Sequence, residues 1–213
     1  MKTFGFLLFV IVFLFAGCNT QSNKNAAACC DNGPLNALTD AEKAQGWILM
    51  FDGKTSNGWR GYNKTTFPAG WVIDDGTLKC QGSGRGEEGG IEGGDIIYDK
   101  KFSNFDLRLE WKISEGGNSG IFYLGNEVPG QEIWKSAPEM QVVDNDGHPD
   151  ALSGKDGNHK AGSLYDLIPA KRQNAKPAGQ WNSVEIIVYQ GTVVHRMNGE
   201  PVLEYHLWTP EWN

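Results

Sequence analysis

The stretch WNSVEIIVYQGTVVHRMNGEPVLEY, residues 181–205, decides the fold class of this protein. Its first part, WNSVEIIVY, alternates apolar and polar residues, which predicts a strand with one buried face. Its second part places Asn198 and Gly199 between two strand-like runs and predicts a tight hairpin, since this pair tolerates the positive φ angles of such a turn. His195 shares a predicted face with Val193 and Met197, so we interpret it as a structural residue.

Similar signals occur towards the N-terminus. WVIDDGTLKC (71–80) predicts a second hairpin around its Asp-Gly pair, and FDLRLEWKI (105–113) predicts another half-buried strand. Thr39 precedes Glu42 by three residues, a capping box that predicts a short helix. Many short strands, with 28 glycines, eight tryptophans and no long helical period, predict an all-β, two-layer sandwich.

Three loops interrupt this pattern. GSGRGEEGGIEGGD (82–95) is rich in glycine but does not open a helix after a strand, so it does not fit a dinucleotide-binding or phosphate-binding loop and predicts a loop at the rim of the sandwich. SEGGNSG (114–120) predicts a tight connection between strands. HPDALSGKDGNHKAGS (148–163) is long and polar, and such loops in compact sandwiches are more often functional than not.

The N-terminus resembles that of a bacterial lipoprotein. An apolar run at residues 4–16 follows Lys2 and is too short to span a membrane as a helix, which predicts a lipoprotein signal peptide over residues 1–17. The run ends in LFAGCNT, which is similar to a lipobox and makes Cys18 the lipid attachment residue. An ordinary signal peptide with a chance cysteine is the alternative.

The polar residues 18–37 predict a lipid-anchored tether, followed by a single β-sandwich domain over residues 38–213. Asn19 stands where an Asp would be associated with retention in the inner membrane, so the outer membrane is the expected location. No acidic run follows Cys18, which favours the periplasmic face of that membrane over export to the cell surface.

Charge and cysteine content limit the partners. The formal net charge is −7 and no basic patch is present, which argues against nucleic acid and against anionic substrates. With Cys18 lipidated, three cysteines remain in an oxidising compartment, and a bridge from the adjacent Cys29 and Cys30 to Cys80 is one arrangement that they allow. Their number and spacing do not suit zinc.

The acidic stretch PEMQVVDNDGHPD, residues 138–150, is the first candidate for a site. On the predicted strand, Glu139 and Gln141 share one face. The residue eleven positions after the first Asp is Lys155, where a calcium loop of the EF-hand type requires Glu, so a complete EF-hand is excluded. An ordinary acidic turn and a non-standard divalent site, for calcium or manganese, both stay open; the candidate ligands are Asp144, Asp146 and His148.

Five segments, in this order, resemble the 3-keto-disaccharide hydrolase family: LMFDGKTSNGW, GGDIIYDKKFSNFDLRLEWKISEGGNSGIFY, EMQVVDNDGHPD, AGSLYDLIPA and GQWNSVEIIVYQGTVVHRMNGEPV. The resemblance covers roughly residues 46–205. It implies a concanavalin A-like jelly-roll sandwich and cleavage of glycosides whose sugar carries a ketone at C3. Such activities are described as 3-keto-glucoside 1,2-lyase and 3-keto-2-hydroxyglucal hydratase. Family members usually continue past WTPEWN to a closing strand, so we expect that strand, and a His on it, to lie beyond this sequence.

The implied chemistry needs few groups. A C3 ketone acidifies the C2 hydrogen, so a base can form an enolate that expels the C1 oxygen, and water can then add to the unsaturated sugar. The site needs a base, a group that stabilises the enolate and an acid for the leaving oxygen. Glu139 is the predicted base, because partial burial in a cleft would raise its pKa towards the working pH. Lys112 is the candidate for the enolate and His148 for the acid; as an alternative, all three are surface or turn residues.

Other polar and aromatic side chains are candidates for binding the sugar. Trp134 could stack on a sugar ring, and for each candidate a turn or packing role is the alternative. The predicted hydrogen-bonding residues are Gln141, Asn118, Ser119, Tyr123 and Asp146.

Two other functions compete with this prediction. A conventional laminarinase-like glycoside hydrolase would share the fold class, but it needs two neighbouring carboxylates, and EMQ places an amide where the second acid would lie. A non-catalytic carbohydrate-binding module would also suit a domain with eight tryptophans.

Overall fold

A computed structural model of the protein describes residues 35–81 and 93–210. Within them the chain forms one short α-helix, α1 (Asp40–Ala44), ten strands and two 3₁₀ turns, Ile133–Lys135 and Pro149–Leu152. The strands are β1 (Trp59–Gly61), β2 (Trp71–Asp74), β3 (Thr77–Cys80), β4 (Ile96–Tyr98), β5 (Phe105–Trp111), β6 (Asn118–Phe122), β7 (Glu139–Val143), β8 (Asn182–Tyr189), β9 (Thr192–Met197) and β10 (Glu200–His206).

The capping box at the start of α1 is confirmed. The hydroxyl of Thr39 accepts a hydrogen bond from the backbone N–H of Glu42 at 3.2 Å, and the Glu42 carboxylate accepts one from the backbone N–H of Thr39 at 2.8 Å. These two bonds satisfy donors that the first turn of a helix leaves without an intrahelical partner. The helix therefore begins where the sequence predicts.

The largest sheet is antiparallel, with strand order β10-β9-β8-β5. The predicted hairpin joins β9 to β10, with φ angles of 51° at Asn198 and 83° at Gly199. The sequence did not predict the irregularity between Pro201 and Leu203, a bulge that lets the consecutive Val202 and Leu203 both be buried. Along β8 every second residue is buried, as the alternation predicts.

The second sheet contains β6 and β7, which are also antiparallel. On the other edge of β7 runs the segment 162–165, which adds backbone hydrogen bonds of 2.9–3.0 Å to Glu139 and Gln141. Strand β7 is thus flanked on both edges, and four of its five residues are buried. Two further antiparallel pairs, β1 with β4 and β2 with β3, form from the N-terminal half.

The core lies between β7 and the inner face of the four-stranded sheet. Met140 and Val142 of β7 pack in one cluster with Ile186 of β8, Met197 of β9 and Tyr205 of β10. Apolar residues from both sheets therefore bury one another, which is the arrangement of a sandwich. The prediction of an all-β sandwich is confirmed.

Several predictions fall outside the described residues: the signal peptide at 1–17, the lipid attachment residue Cys18, the tether up to residue 34, Cys29 and Cys30, and the part of the glycine-rich loop from 82 to 92. Cys80 is exposed at the end of β3, and its pairing stays a prediction. Among the described residues no helix is long and apolar enough to cross a membrane.

Candidate active site

A wide groove opens beside β6 and β7, and it contains the polar residues that the candidate site needs. Its volume is about 4430 Å³. Ligand pockets usually measure roughly 300–1,000 Å³, so the groove is too large to outline one substrate. The site within the groove therefore has to be located from the chemical character of its side chains. The groove residues that could act on a sugar are Glu139, His148, Asp150, Tyr165 and Asp166.

Glu139, the predicted base, is the first residue of β7 and is half-buried. It pairs with Phe122 of β6, and its carboxylate crosses β6 above Gly120. A Cβ atom at position 120 would overlap with the end of the Glu139 side chain. The missing side chain of Gly120 therefore makes the space in which the Glu139 carboxylate lies, an example of a strand glycine that permits close approach.

A cluster of four side chains forms in the long loop after β7. His159 is 9% exposed, and its two ring nitrogens each lie 3.0 Å from a carboxylate oxygen, Nδ1 from Asp150 and Nε2 from Asp166. Burial lowers the pKa of His159, but hydrogen bonds to Asp166 and Asp150 and their charges outweigh burial and raise it overall. Because a carboxylate oxygen lies 3.0 Å from each ring nitrogen and an ionised carboxylate can only accept, this geometry fits an imidazolium with both nitrogens protonated.

Tyr165 connects this cluster to the groove. Its hydroxyl lies 3.2 Å and 3.4 Å from the two carboxylate oxygens of Asp150, and its ring packs on that of His159 with centroids 4.5 Å apart. Burial, and then the charge of Asp150, raise the pKa of Tyr165 to about 12; the charge of Glu139 adds to this effect. Tyr165 is thus a protonated hydroxyl near the predicted base.

His148 borders the groove at the start of the second 3₁₀ turn. Its Nδ1 accepts a hydrogen bond from the backbone N–H of Asp150 at 3.1 Å, so Nδ1 carries no proton in this geometry. The neutral ring then has its proton on Nε2. His148 can present that N–H as a donor to a bound sugar.

The predicted metal ligands do not form a metal site among the described residues. Asp144 is 6% exposed and accepts hydrogen bonds from the backbone N–H groups of Gly116, at 2.9 Å, and Asp146, at 3.2 Å. The bond from Gly116 is the main reason that the pKa of Asp144 is lowered; burial opposes it. Asp146 is exposed, and no three His, Cys, Asp or Glu side chains come together as metal ligands in the described part of the chain. Asp144 instead braces the turn that follows β7.

Two predicted sugar-binding residues lie in the interior. Gln141 is 1% exposed, and its side-chain oxygen accepts a hydrogen bond from the backbone N–H of Val142 at 3.1 Å. Tyr123 is 5% exposed, and its hydroxyl is 2.7 Å from Nε2 of His195 and 2.8 Å from the hydroxyl of Tyr205. Both side chains are thus largely buried although they line the groove, and their part in binding the sugar stays a prediction.

The remaining candidates are exposed. Asn118 and Ser119 lie on β6, and Nδ2 of Asn118 is 3.5 Å from a carboxylate oxygen of Asp150. Lys112 follows β5 and borders the groove, and its Nζ lies over the ring of Trp181, 4.9 Å from the ring centroid. Trp134 is 54% exposed on the first 3₁₀ turn, where its ring is open to a ligand.

Sequence reasoning singled out the loop 148–163 as a functional loop but named only one of its residues, His148. It missed Asp150 and His159 within that loop and Tyr165 and Asp166 just after it. The one available signal was the pair of histidines in one long polar loop. Which acids each histidine meets depends on how the loop folds back on β7.

Comparison with known proteins establishes the family. The model of the 3-keto-alpha-glucoside-1,2-lyase-like domain matches residues 46–213, most of the chain. The chain belongs to this family. The resemblance to 3-keto-disaccharide hydrolases is therefore confirmed, and the Glu139 groove lies within a 3-keto-alpha-glucoside-1,2-lyase-like domain.

Curated and structural relatives agree with this assignment. A Bacteroides thetaiotaomicron protein named 3-keto-disaccharide hydrolase is 57% identical over 187 residues, and the match covers 84% of this chain and 64% of that protein. The chain thus spans about two thirds of its length.

Two solved structures from Parabacteroides distasonis, each provisionally named a glycosyl hydrolase, resemble this 3-keto-alpha-glucoside-1,2-lyase-like domain. One is 32% identical with a TM-score of 0.72, covering 83% of this chain and 79% of the other. The second is 27% identical with a TM-score of 0.53, covering 78% and 68%.

Proposed function

We propose that this protein cleaves 3-keto-disaccharides and related 3-keto-glucosides by elimination across C1 and C2. The single observation that carries the proposal is the Glu139 carboxylate, placed over Gly120 on the groove wall near Tyr165 and Asp150. The family match and the 57% identical relative named 3-keto-disaccharide hydrolase support the substrate class.

Glu139 acts as the base. Its carboxylate takes the proton from C2, the electrons of that C–H bond form the enolate of the C3 ketone, and the enolate then forms a C1–C2 double bond while the C1–O bond breaks. The departing oxygen receives a proton. Water then adds across the double bond, with OH at C1 and H at C2, so that the net reaction is hydrolysis.

His148 stabilises the enolate in this proposal. The Nδ1 atom of His148 accepts a hydrogen bond from the backbone N–H of Asp150, which fixes the ring. Its Nε2–H is therefore the group that can donate to the enolate oxygen. Such a donor, directed at an oxygen where negative charge develops, lowers the barrier without rearrangement. Lys112, whose Nζ lies over the ring of Trp181 on the groove wall, is the second candidate for this role.

The test is cleavage of a 3-keto-glucoside in deuterium oxide, followed by NMR. We expect cleavage with deuterium at C2 of the product, no cleavage of the unoxidised sugar, and a fall in kcat of at least about 100-fold in Glu139→Gln, the scale of a lost general base. A sample of 3-keto-glucose without enzyme measures spontaneous exchange. Equal cleavage of the oxidised and unoxidised sugars would favour a conventional glycosidase. Saturable sugar binding without turnover would favour a carbohydrate-binding module.

A divalent cation, calcium or manganese, stays a prediction from the sequence. The described residues do not supply a set of ligands for it, so the mechanism above uses none. A parallel incubation with a chelator tests the point, because a metal-dependent enzyme loses activity there and recovers it when the ion is added back.

We also propose that the protein is anchored by lipid at Cys18 to the periplasmic face of the outer membrane. The support is the lipobox-like LFAGCNT with Asn19 after the cysteine. Cys18→Ala should move the protein from the membrane fraction to the soluble periplasmic fraction. Retention of the variant in the membrane would contradict lipid anchoring.

A further inference from the structure

A continuous chain of polar contacts connects the Tyr165 hydroxyl with the exposed carboxylate of Asp166, and both residues border the groove. The Tyr165 hydroxyl lies 3.2 Å from Oδ2 of Asp150, Oδ1 of Asp150 lies 3.0 Å from Nδ1 of His159, and Nε2 of His159 lies 3.0 Å from Oδ1 of Asp166. The side chains become more exposed at the far end: 11% for His159 and 69% for Asp166. Oδ1 of Asp150 also lies 3.4 Å from the Tyr165 hydroxyl, so one carboxylate oxygen contacts both His159 and Tyr165 and can pass a proton between them.

We propose that Tyr165 is the general acid that protonates the departing C1 oxygen, and that Asp150, His159 and Asp166 return a proton from solvent to it. This inference rests on the proposed elimination, which needs an acid as well as the base Glu139. Tyr165 suits the role because it borders the groove and lies close enough to Glu139 to be affected by its charge. Base and acid can thus act on C2 and on the C1 oxygen of the same sugar.

The proton balance closes without any further reactant. As the C1–O bond breaks, the O–H bond of Tyr165 breaks and the departing oxygen takes its proton. Nδ1 of His159 then gives its proton to Oδ1 of the ionised Asp150 carboxylate, and Oδ1, which lies 3.4 Å from the Tyr165 oxygen, passes that proton on to the phenolate. Nε2 of His159 is reprotonated from water through Asp166. One proton enters from solvent for each oxygen that leaves.

The acidity of the phenol fits the task. Its pKa of about 12 keeps Tyr165 protonated at neutral pH, so the proton is present when the C1–O bond breaks.

The loop is built to hold His159 between its two acids. A Cβ atom at Gly154 would overlap with the His159 ring, so only glycine allows this approach. Asp166 has a φ of 58°, a conformation that non-glycine residues adopt at a cost and that is common at functional sites. The backbone carbonyl of Asn158 accepts a hydrogen bond from the backbone N–H of Asp166 at 3.3 Å, which stabilises this turn. The charged groups that face His159 are Asp150 and Asp166.

A purely structural clamp would produce the same contacts, so the test has to separate acid catalysis from support. It uses two substrates: 4-nitrophenyl 3-keto-glucoside, whose nitrophenolate departs without a proton, and methyl 3-keto-glucoside, whose methoxide needs one. For Tyr165→Phe we expect kcat on the methyl glucoside to fall about 10²–10⁴-fold and kcat on the nitrophenyl glucoside to change by less than about tenfold. His159→Gln should show a smaller loss with the same preference.

Tyr189→Phe is the matched control, because Tyr189 is 61% exposed at the end of β8 and should show no change with either substrate. Circular dichroism and thermal unfolding of each variant verify the fold. A second measurement is the ¹⁵N NMR spectrum of histidine-labelled protein, in which His159, assigned by its absence in His159→Gln, should show both ring nitrogens protonated at pH 7.5.

Three results would overturn the inference. Equal losses on the two substrates in Tyr165→Phe would show that the cluster only supports the groove. A leaving-group preference in His148→Gln instead of Tyr165→Phe would make His148 the acid. A neutral His159 ring would break the relay. If the wild type cleaves neither substrate, or cleaves without deuterium at C2, the elimination itself fails, and that outcome is distinct because it appears before any variant is compared.

Discussion

At the scale of single residues, the position of the Glu139 carboxylate, the proposed base, depends on a residue without a side chain. Glu139 extends across β6 in the space above Gly120, and no other residue type leaves that space open. The three heavy atoms nearest to a Cβ at position 120 all belong to the flexible Glu139 side chain. A substitution there should therefore disturb the carboxylate much more than the fold.

We predict that Gly120→Ala lowers kcat at least about tenfold while the melting temperature changes by only a few degrees, because the Glu139 carboxylate has to leave its place. A displacement of 1 Å at a catalytic group is enough for losses of this size. Steady-state kinetics and thermal unfolding measure the two effects. Adding Gly120→Ala to Glu139→Gln should cause no further loss; a further loss would show that position 120 acts independently of Glu139.

At the scale of elements, the β9–β10 hairpin depends on local turn chemistry and on side-chain bonds from Asn198. Its Nδ2 donates to the carbonyl of Asn174 at 2.8 Å and to Oδ1 of Asn182 at 2.9 Å, while its Oδ1 accepts the N–H of Ser183 at 3.1 Å. The turn thus also fastens the preceding loop and β8. Gly199 completes it with a φ of 83° and no neighbour within 4 Å of a Cβ at that position.

We predict that Gly199→Ala lowers the free energy of unfolding by about 1 kcal/mol, because the left-handed conformation penalises a Cβ atom while packing is unaffected. Chemical denaturation measures the change. Glu204→Ala, an exposed substitution on the adjoining strand, should stay within about 0.5 kcal/mol of the wild type. Since neither residue borders the groove, activity should not change in either variant. An unchanged stability in Gly199→Ala would contradict this account of the turn.

At the scale of the whole molecule, His195 connects parts of the chain that are distant in sequence. Its Nδ1–H donates to the carbonyl of Gly162 at 3.0 Å, its Nε2 accepts the hydroxyl of Tyr123, and Tyr123 in turn accepts the hydroxyl of Tyr205. The ring is fully buried, and burial lowers its pKa to about 4. The core therefore requires neutral His195.

This requirement makes stability depend on pH. Between the ordinary pKa of about 6.5 and the folded value of about 4, the unfolded chain binds a proton that the folded chain does not. The stabilisation is therefore present above pH 6.5 and is lost as the pH falls towards 4. His159 has the opposite shift, so its stabilisation is present below pH 6.5 and is lost as the pH rises through its folded pKa.

We predict that the wild type loses about 3 kcal/mol more unfolding free energy than His195→Gln on going from pH 7 to pH 4, at about 1.4 kcal/mol for each unit of pKa shift. Denaturation curves across this range measure both proteins. The variant starts from a lower stability, because it loses partners in the core, so the comparison uses the slopes with pH. Parallel slopes would show that other groups cause the acid sensitivity.

Interactions within short stretches of chain could be predicted from the sequence. The alternation in residues 181–205, the Asn198-Gly199 turn, the capping box at Thr39 and the buried face of His195 all depend on near neighbours or on strand periodicity, and the structure confirms each. The family could also be predicted, because its motifs are spread over most of the chain in the right order.

Only the tertiary structure decided which polar side chains meet. Gln141 shares the predicted face of Glu139, yet it is 1% exposed, and the segment 162–165 returns along the edge of β7 that β6 leaves free. The same return brings Tyr165 and His159 to Asp150, and no periodicity in residues 148–166 indicates that pairing. Periodicity tells which face of a strand is buried, but the partners across that face are set by packing between distant segments, and the candidate site consists of such contacts.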